Sequence, residues 1–241
     1  MTPEEIPEAP DRPVMIRRMF RSISNRYDLM NRLITWGMDA SWRRRVVQRA
    51  AVPEGGRLLD VGTGTGAIAL LAARTRPDVK VTGADFTLSM MEIGRQRPFA
   101  RRICWCCSDA LSLPFTDATF DAVTSGYLVR NVGDVPAAFR EQMRVVKPGG
   151  RVVCLETSPP PSHTLRPLIL WYLERGIPFL GRVIAGNPSA YRYLPATTRA
   201  FYTPRRLAAV MKGAGLCDVT CRPFMFGTQV ICTGRRPHRV T

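Results

Sequence analysis

The chain has 241 residues, of which 45% are hydrophobic and 22% charged, a composition typical of a folded globular protein rather than a disordered one. Its 35 lysines and arginines outnumber 19 acidic residues and give a formal net charge of +16. No uninterrupted apolar run of about 18 residues occurs, so no membrane-spanning helix is predicted. The length favours one α/β domain with a modest elaboration over two independent domains.

The N-terminal segment, MTPEEIPEAPDRP, is acidic and rich in proline, and we expect residues 1–13 to form a flexible tail. The segment lacks the basic-then-apolar order of a secretion signal, which favours a cytoplasmic protein. Residues 14–241 are then expected to form a single domain. Within it, apolar residues at helical spacing over residues 14–50 predict two or three helices, broken near Ser24 and Gly37.

An alternation of strand-like and helix-like segments begins at Arg57. This pattern predicts a mostly parallel sheet with helices on both faces, the arrangement of a Rossmann-like α/β fold. Residues 57–156 form the expected cofactor-binding core. Its candidate strands are 57–61, 79–85, 103–108, 120–125 and 151–156.

Residues 157–203 interrupt this alternation with an apolar, aromatic and basic insertion that is longer than an ordinary connection. We expect the insertion to be a lid over the substrate. Residues 204–235 then return to the core with one helix and two strands, near 217–223 and 228–233, which are close enough to form a hairpin. The sheet therefore has seven predicted strands, and the last is expected to be antiparallel.

A glycine-rich turn follows the first strand, where Asp60, Gly62, Gly64 and Gly66 form the pattern D-x-G-x-G-x-G. The dinucleotide pattern, G-x-G-x-x-G, differs from it and faces a pyrophosphate, beside which Asp60 would place a second negative charge. A ligand with an amino group and a sulfonium gains from nearby carboxylates instead, and S-adenosylmethionine is such a ligand. We therefore predict this cofactor. The turn residues expected to contact it are Gly62, Thr63, Gly64, Thr65 and Gly66.

Three later strand ends supply further candidate contacts to the cofactor. Asp85 closes the second strand, where a carboxylate can accept the ribose hydroxyls, and Phe86 follows it. Asp109 and Ala110 follow the third strand and are expected near the adenine, and Gly126 lies at the end of the fourth. The alternative, in which the carboxylates are only solvated strand ends, needs all these elements to occur in this order by chance.

With these motifs the sequence resembles the class I S-adenosylmethionine-dependent methyltransferases. Within them it is most similar to the ubiquinone/menaquinone biosynthesis C-methyltransferases, over about residues 15–235. The resemblance implies methylation of a ring carbon of a demethylated isoprenoid quinol, either demethylmenaquinol or a ubiquinol precursor. The sequence departs from the family pattern at Ala67, at residues 126–129 and at residues 155–160, LETSPP. The segments that carry it include RYDLMN, LDVGTGTGAIAL, GADFTLSMMEIGR, VRNV, FREQMRVVKPGGR and AYRYLPATTRAF.

The resemblance implicates Arg130, Asn131, Tyr27 and Asp28 in catalysis. Arginine stays protonated, so Arg130 is expected to stabilise the forming phenolate or to hold a water that takes the proton. Asp28 is a candidate base or second-layer partner, and Tyr27 a candidate hydrogen-bond donor to the quinol. The alternatives are that Tyr27 is a core residue and that Asp28 pairs with a nearby arginine.

The arginine-rich segments 12–49 and 157–206 suggest contact with anionic lipid, since a quinol with an isoprenoid tail resides in the bilayer. We expect a cytoplasmic enzyme that binds transiently at the inner face of the cell membrane, and a homodimer is plausible. The alternatives are a phospholipid N-methyltransferase, a non-catalytic cofactor-binding scaffold and a nucleic-acid methyltransferase. The last would be expected to show a D/N/S-P-P-aromatic turn after the fourth strand or a Pro-Cys pair, and neither occurs.

The chain has seven cysteines, several of them in strand-like apolar runs, and we expect them to be reduced and buried. The cluster CWCC at 104–107 lacks the second separated pair that zinc sites require, so no metal site is predicted.

Overall fold

The computed structural model describes residues 12–185 and 188–238. Most of the predicted tail, residues 1–11, lies outside this range, whereas residues 12 and 13 begin the first helix. The predicted helix breaks near Ser24 and Gly37 fall between the first three helices. The ten helices of the described chain are α1 (Arg12–Ile23), α2 (Tyr27–Ile34), α3 (Asp39–Ala50), α4 (Ala67–Thr75), α5 (Leu88–Arg95), α6 (Val135–Val145), α7 (Arg166–Trp171), α8 (Ile177–Leu180), α9 (Pro188–Ala200) and α10 (Pro204–Gly213).

Seven strands form one sheet in the order β3-β2-β1-β4-β5-β7-β6. The first five strands are mutually parallel, and β7 runs antiparallel to both β5 and β6, so the predicted Rossmann-like fold with an antiparallel last strand is confirmed. The chain order of the strands reverses between β1 and β4, which is where ligands bind in open α/β sheets. The strands are β1 (Arg57–Val61), β2 (Lys80–Asp85), β3 (Ile103–Cys107), β4 (Phe120–Gly126), β5 (Val146–Thr157), β6 (Cys217–Phe224) and β7 (Gln229–Arg235).

Alternating residues of the strands supply two apolar layers, one on each face of the sheet. On one face Trp42 of α3 and Ile68 of α4 pack in a buried cluster with Leu58 of β1. On the other face Phe139 of α6 and Leu207 of α10 belong to the buried cluster that contains Leu59. Adjacent residues 58 and 59 thus face opposite layers, and the helices on both faces hold the strand ends in fixed positions.

A third apolar cluster joins the N-terminal helices to the insertion at 157–203. Ile23 and Met30 of the N-terminal helices are buried together with Ile177 and Tyr191 of the insertion. The Tyr172 hydroxyl also donates a hydrogen bond to the Ile34 carbonyl at 3.0 Å. These two additions therefore pack on each other. Helical segments with π-type hydrogen bonds, Tyr172–Gly176 and Gly181–Ala185, connect α7, α8 and α9.

The fifth strand begins earlier than predicted. Helix α6 ends at Val145, as the following Lys-Pro-Gly-Gly signal indicates, but β5 then starts at Val146 rather than at residue 151. The pairing between β4 and β5 shifts register between Phe120 and Ala122. Phe120 pairs with Val146 and Ala122 with Arg151, so residues 147–150 form a bulge opposite Asp121.

The expectation of reduced, buried cysteines is wrong for part of the set. Cys221 and Cys232 form a disulfide because they are directly opposed on the antiparallel strands β6 and β7, a register that sequence spacing does not reveal. Cys104 and Cys107 are exposed, and Cys154 is buried. Within the described residues, no cluster of three or more His, Cys, Asp or Glu side chains is arranged to bind a metal, and no helix has the length and apolarity needed to cross a bilayer.

Candidate functional site

The glycine turn between β1 and α4 forms the floor of the site. Gly62, Gly64 and Gly66 have φ values of +66°, +57° and +79°, a region that glycine adopts without steric cost. A Cβ atom at Gly62 would lie 2.7 Å from the Leu128 side chain, so a larger residue would also collide there. The turn thus leaves its backbone open to close approach by a ligand.

Asp60 lies directly beneath this turn and is buried. Its two carboxylate oxygens accept hydrogen bonds from the Thr63 and Thr124 hydroxyls, each at 2.8 Å. Burial raises the pKa of Asp60 to about 6, although these hydrogen bonds oppose the shift. The carboxylate is therefore ionised at neutral pH and places a fixed negative charge under the glycines.

Asp85 ties the glycine turn to the end of β2. One carboxylate oxygen accepts the backbone N–H of Gly64 and the other that of Thr87, both at 2.7 Å. Burial raises the pKa of Asp85, against the effect of these two bonds. The two carboxyl oxygens have acceptor positions beyond these two bonds, so Asp85 can still accept the hydroxyls of a ribose.

These residues line a cavity at the carboxyl ends of β1, β2 and β4, and Phe20 and Tyr27 cover it from the N-terminal helices. Thr87, Met90 and Tyr127 also line it, although none of them was predicted to contact the cofactor. Eight of the predicted cofactor residues lie in the lining: Asp60, Gly62, Thr63, Gly64, Thr65, Asp85, Phe86 and Gly126.

Three predicted cofactor residues lie apart from the lining of this cavity. Gly66 is the left-handed residue that precedes α4. The exposed Asp109 accepts the backbone N–H of Leu111 at 2.9 Å and so closes its own turn, and Ala110 is buried in the apolar core. The predicted contact of Asp109 and Ala110 with the adenine stays a prediction, because neither lines the described cavity.

Arg130 is buried at the wall beside this cavity, where its guanidinium forms an ion pair with the carboxylate of Glu156. The guanidinium also lies over the Tyr127 ring, 5.2 Å from its centroid. Burial is the largest single effect and lowers the pKa of Arg130, but the Glu156 carboxylate, together with Tyr27 and Tyr193, outweighs burial and leaves the pKa above its usual value. A permanent cation is thus fixed in a largely dry environment. Glu156 was missed as a site residue because its partner is 26 positions away.

Tyr27 and Asn131 lie close to Arg130. The Asn131 amide donates to the Tyr127 carbonyl at 3.0 Å and accepts from the Tyr193 hydroxyl at 3.1 Å, which holds it in the wall. Burial raises the pKa of Tyr27, with Arg130 acting in the opposite direction, so its phenol stays protonated at neutral pH. The structure therefore brings three of the four predicted catalytic residues together.

Asp28 is the exception, because its carboxylate points to the glycine turn and not to Arg130. It accepts the Thr65 hydroxyl at 2.8 Å and pairs with Arg97 at 2.5 Å. This is the alternative in which Asp28 pairs with a nearby arginine. The contacts attach α2 to the cofactor loop.

A second cavity of about 700 Å³ adjoins the first and shares Tyr127 with it. Arg130, Asn31, Thr157 and Gln229 supply polar groups to its lining. The rest is largely apolar. These residues include Ile34, Trp36, Met38, Leu168, Trp171, Leu173, Ile177, Met225 and Phe226.

Solved structures with this architecture include methyltransferases. Haemonchus contortus phosphoethanolamine N-methyltransferase 2, solved in complex with S-adenosyl-L-methionine, has a TM-score of 0.61 and 16% identity over 82% of this chain and 53% of that chain. The [4+2]-cyclase SpnF has a TM-score of 0.63 and 21% identity, covering 97% and 98% of the two chains. These likenesses establish the fold, while the glycine turn with Asp60 and Asp85 adds the site. Together they define a class I methyltransferase.

The chain belongs to the ubiE/COQ5 methyltransferase family, whose pattern matches residues 9–236. It is 47% identical to a ubiquinone/menaquinone biosynthesis C-methyltransferase UbiE of Desulfotalea psychrophila, over 88% of this chain and 87% of that one. It is 42% identical to a demethylmenaquinone methyltransferase of Roseiflexus castenholzii, over 97% and 98%. The family predicted from the sequence, and with it an S-adenosylmethionine-dependent methyltransferase, is confirmed.

Proposed function

We propose that this enzyme transfers a methyl group to a ring carbon of a demethylated isoprenoid quinol, either demethylmenaquinol or the corresponding ubiquinol precursor. The observation that carries the proposal is the second cavity, whose charged end at Arg130 abuts the cofactor cavity while the rest is apolar. Such a cavity fits a polar ring followed by a hydrocarbon tail. The names of the similar proteins point to the same substrate class.

The residues of the first cavity fit S-adenosylmethionine. Asp60 and Asp85 supply the negative charge and the acceptors for its cationic groups and ribose, and the glycine turn admits it to the backbone. When bound, this cofactor supplies a methyl group activated by a sulfonium.

Arg130 has the central role in activating the quinol. Transfer of a proton from the hydroxyl beside the accepting carbon to a water held at Arg130 makes that carbon nucleophilic and leaves negative charge on the ring oxygen. After the methyl transfer the same carbon loses its hydrogen as a proton to water, which restores the aromatic ring. A cation held in a buried site stabilises such a charge strongly. Arg130 meets this requirement because Glu156 keeps it charged, and the phenol of Tyr27 can donate a further hydrogen bond.

Asn131 and Asp28 act by positioning in this proposal. Asn131 joins Tyr193 of the insertion to the backbone at Tyr127, so it links the cover of the site to its wall. Asp28 holds α2 against the cofactor loop through Thr65. The insertion, which includes α7, α8 and α9, serves as the lid over the quinol.

The mouth of the second cavity is the proposed contact with the membrane. Trp36, Leu168, Trp171 and Phe226 line the cavity and are also 60–77% exposed. Large apolar side chains at a cavity mouth give an isoprenoid tail a path into the bilayer, and the arginine-rich segments that contain Trp36, Leu168 and Trp171 favour anionic lipid. A location in the cytoplasm, a homodimer and the absence of a nucleic-acid partner stay predictions.

Methyl transfer from labelled S-adenosylmethionine tests the proposal, with a demethylated menaquinol, a ubiquinol precursor and phosphatidylethanolamine offered in liposomes. We expect label in a quinol, in one new carbon-bound methyl group. The Arg130→Ala variant should lose activity by about 100-fold or more. It should keep cofactor affinity because Arg130 does not line the cofactor cavity. Label in the phospholipid alone would refute the quinol as substrate.

A further inference from the structure

Three buried side-chain oxygens line the second cavity without a hydrogen-bond partner among the described residues. They are the Tyr127 hydroxyl, the Thr157 hydroxyl and the Gln229 amide oxygen. Buried polar side-chain atoms in folded proteins are nearly always hydrogen-bonded, and leaving one unbonded is costly. Together with the Asn31 amide nitrogen, which lines the same cavity and also has no partner among the described residues, these oxygens indicate that a polar ligand completes them.

Thr157 and Gln229 form one pair within this set. They are directly opposed on the antiparallel strands β5 and β7, so their side chains share one face at the same level of the sheet. The backbone N–H of Thr157 donates to Glu156 at 2.8 Å, the carboxylate that pairs with Arg130. The pair therefore lies immediately beyond the buried charges of the site.

The three oxygens differ in their position relative to the cofactor cavity. Tyr127 lines both cavities, whereas Thr157 and Gln229 line only the second. The polar lining thus has a near part next to the cofactor cavity, formed by Tyr127 and Arg130, and a far part away from that cavity, formed by Thr157 and Gln229.

A quinol carries two hydroxyls on opposite carbons of its ring. The accepting carbon has to face the cofactor, so the hydroxyl beside it lies at the near part. The opposite hydroxyl then points away from the cofactor. A hydroxyl both donates and accepts, so it can satisfy an amide oxygen and a threonine hydroxyl together.

We propose that Thr157 and Gln229 form a subsite for the quinol hydroxyl opposite the one beside the methylated carbon. This inference rests on the proposed function, since it assigns a second contact to the same substrate. The subsite sets the orientation of the ring and so selects which carbon meets the methyl donor. It also favours dihydroxy rings over rings with a single hydroxyl.

The test compares two substrates in the wild type and in a Thr157→Val/Gln229→Leu variant. One substrate is the demethylated menaquinol, and the other is a prenylated 1-naphthol that lacks only the opposite hydroxyl. For the quinol, we expect the variant to lower kcat/KM by about 10-fold or more, the effect of about 1.4 kcal/mol of lost hydrogen bonding. For the naphthol, kcat/KM should stay within about 2-fold, because that substrate never made the contact.

Two further variants separate the subsite from a general loss of structure. Thr157→Ser keeps the oxygen and should keep the wild-type preference for the quinol. Thr228→Val removes a neighbouring hydroxyl of the same cavity that is already bonded to the Met225 carbonyl at 2.8 Å, so it should leave the preference unchanged. Calorimetry with S-adenosylmethionine reports whether each variant is folded.

An equal fall on both substrates, or an unchanged preference for the quinol in the double variant, would overturn the subsite while leaving the proposed function intact. A wild-type enzyme that binds cofactor but methylates neither ring would overturn the proposed function, and the subsite with it. The two failures are therefore read from different measurements.

Discussion

Arg130 and Glu156 form an ion pair in which the side chains are only 4% and 0% exposed, at the wall between the cofactor cavity and the apolar cavity. The Glu156 carboxylate also accepts the Arg130 backbone N–H at 3.3 Å and the Thr157 backbone N–H at 2.8 Å. One carboxylate thus fixes both the charge and the backbone of the site. Burying two charges is costly, so such a pair is weak evidence for stability, and in the proposed mechanism it serves to hold the Arg130 cation at the site.

The Glu156→Gln variant tests whether the stability and the activity of the site depend on this carboxylate. Removing one partner of a buried pair leaves an uncompensated charge, and we expect a loss of about 3 kcal/mol in the free energy of unfolding. Turnover should fall by about 10-fold or more, since Arg130 loses the partner that orients it. Urea unfolding and methyl-transfer rates measure the two effects.

Glu174→Gln is the matched control for that variant. Glu174 pairs with Arg199, but the two side chains are 43% and 55% exposed. Exposed pairs contribute at most about 1 kcal/mol, so both stability and turnover should be nearly unchanged. Equal losses in the two variants would contradict a special role for Glu156.

The ionisation of Asp60 is expected to lower stability while it favours cofactor binding. Its pKa is about 6 in the folded protein, against about 3.9 in an unfolded chain. Between these values the folded state binds more protons, so this group makes stability fall as pH rises through the window, and the loss is complete above about pH 6. Asp60→Asn should therefore fold at least as stably as the wild type at pH 7.

Ionisation of Asp60 lowers the stability of the fold, but it should strengthen cofactor binding. The ionised carboxylate attracts the cationic ligand, so calorimetric affinity for S-adenosylmethionine should fall as pH drops through about 6. Asp60→Asn should weaken binding at pH 7 by about 10-fold or more and abolish this pH dependence. Asp78→Asn, at an exposed carboxylate paired with Arg76, is the control and should bind normally. An unchanged affinity in Asp60→Asn would show that the charge is not used.

Substitution of Asp28 distinguishes a positioning role from general-base catalysis. Because its carboxylate contacts Thr65 and Arg97, we expect Asp28→Asn to lower turnover by less than about 10-fold, well short of the 10²- to 10⁴-fold that removal of a general base costs. Arg97→Gln, which breaks the same contact from the other side, should have a similar effect. A larger loss confined to Asp28→Asn, with an altered pH–rate profile, would assign it the role of base.

The parts of this site that follow from sequence are those built by consecutive residues. Asp60 and Asp85 each end an apolar run beside a turn, so their place at the strand ends could be predicted. Glu156 could not be identified as the partner of Arg130, nor Thr157 as that of Gln229, because these pairs depend on strand order and register. The Cys221–Cys232 disulfide could not be predicted for the same reason.

The position of the second cavity could also not be predicted from the sequence. It forms only because the insertion packs on the N-terminal helices, where Tyr172 bonds to Ile34 and Ile177 joins the cluster of Met30. Each segment alone shows only helical spacing of apolar residues. The contact between them is a tertiary feature with no local signal.

The exposed tryptophans at the mouth of the second cavity allow the proposed membrane contact to be tested. Trp36 and Trp171 are 77% and 60% exposed and both line the cavity. We expect the Trp36→Ser/Trp171→Ser variant to lose co-sedimentation with anionic liposomes, because each side chain would otherwise bury a large apolar surface in the lipid. Phe99→Ser removes an apolar side chain that is 44% exposed and does not line this cavity, and it should sediment as the wild type does. Turnover of a short-chain quinol dissolved in buffer should be largely retained in the double tryptophan variant, since the charged end at Arg130 is untouched. Retained sedimentation with lost turnover of the dissolved quinol would instead assign the two tryptophans to the substrate and not to the membrane.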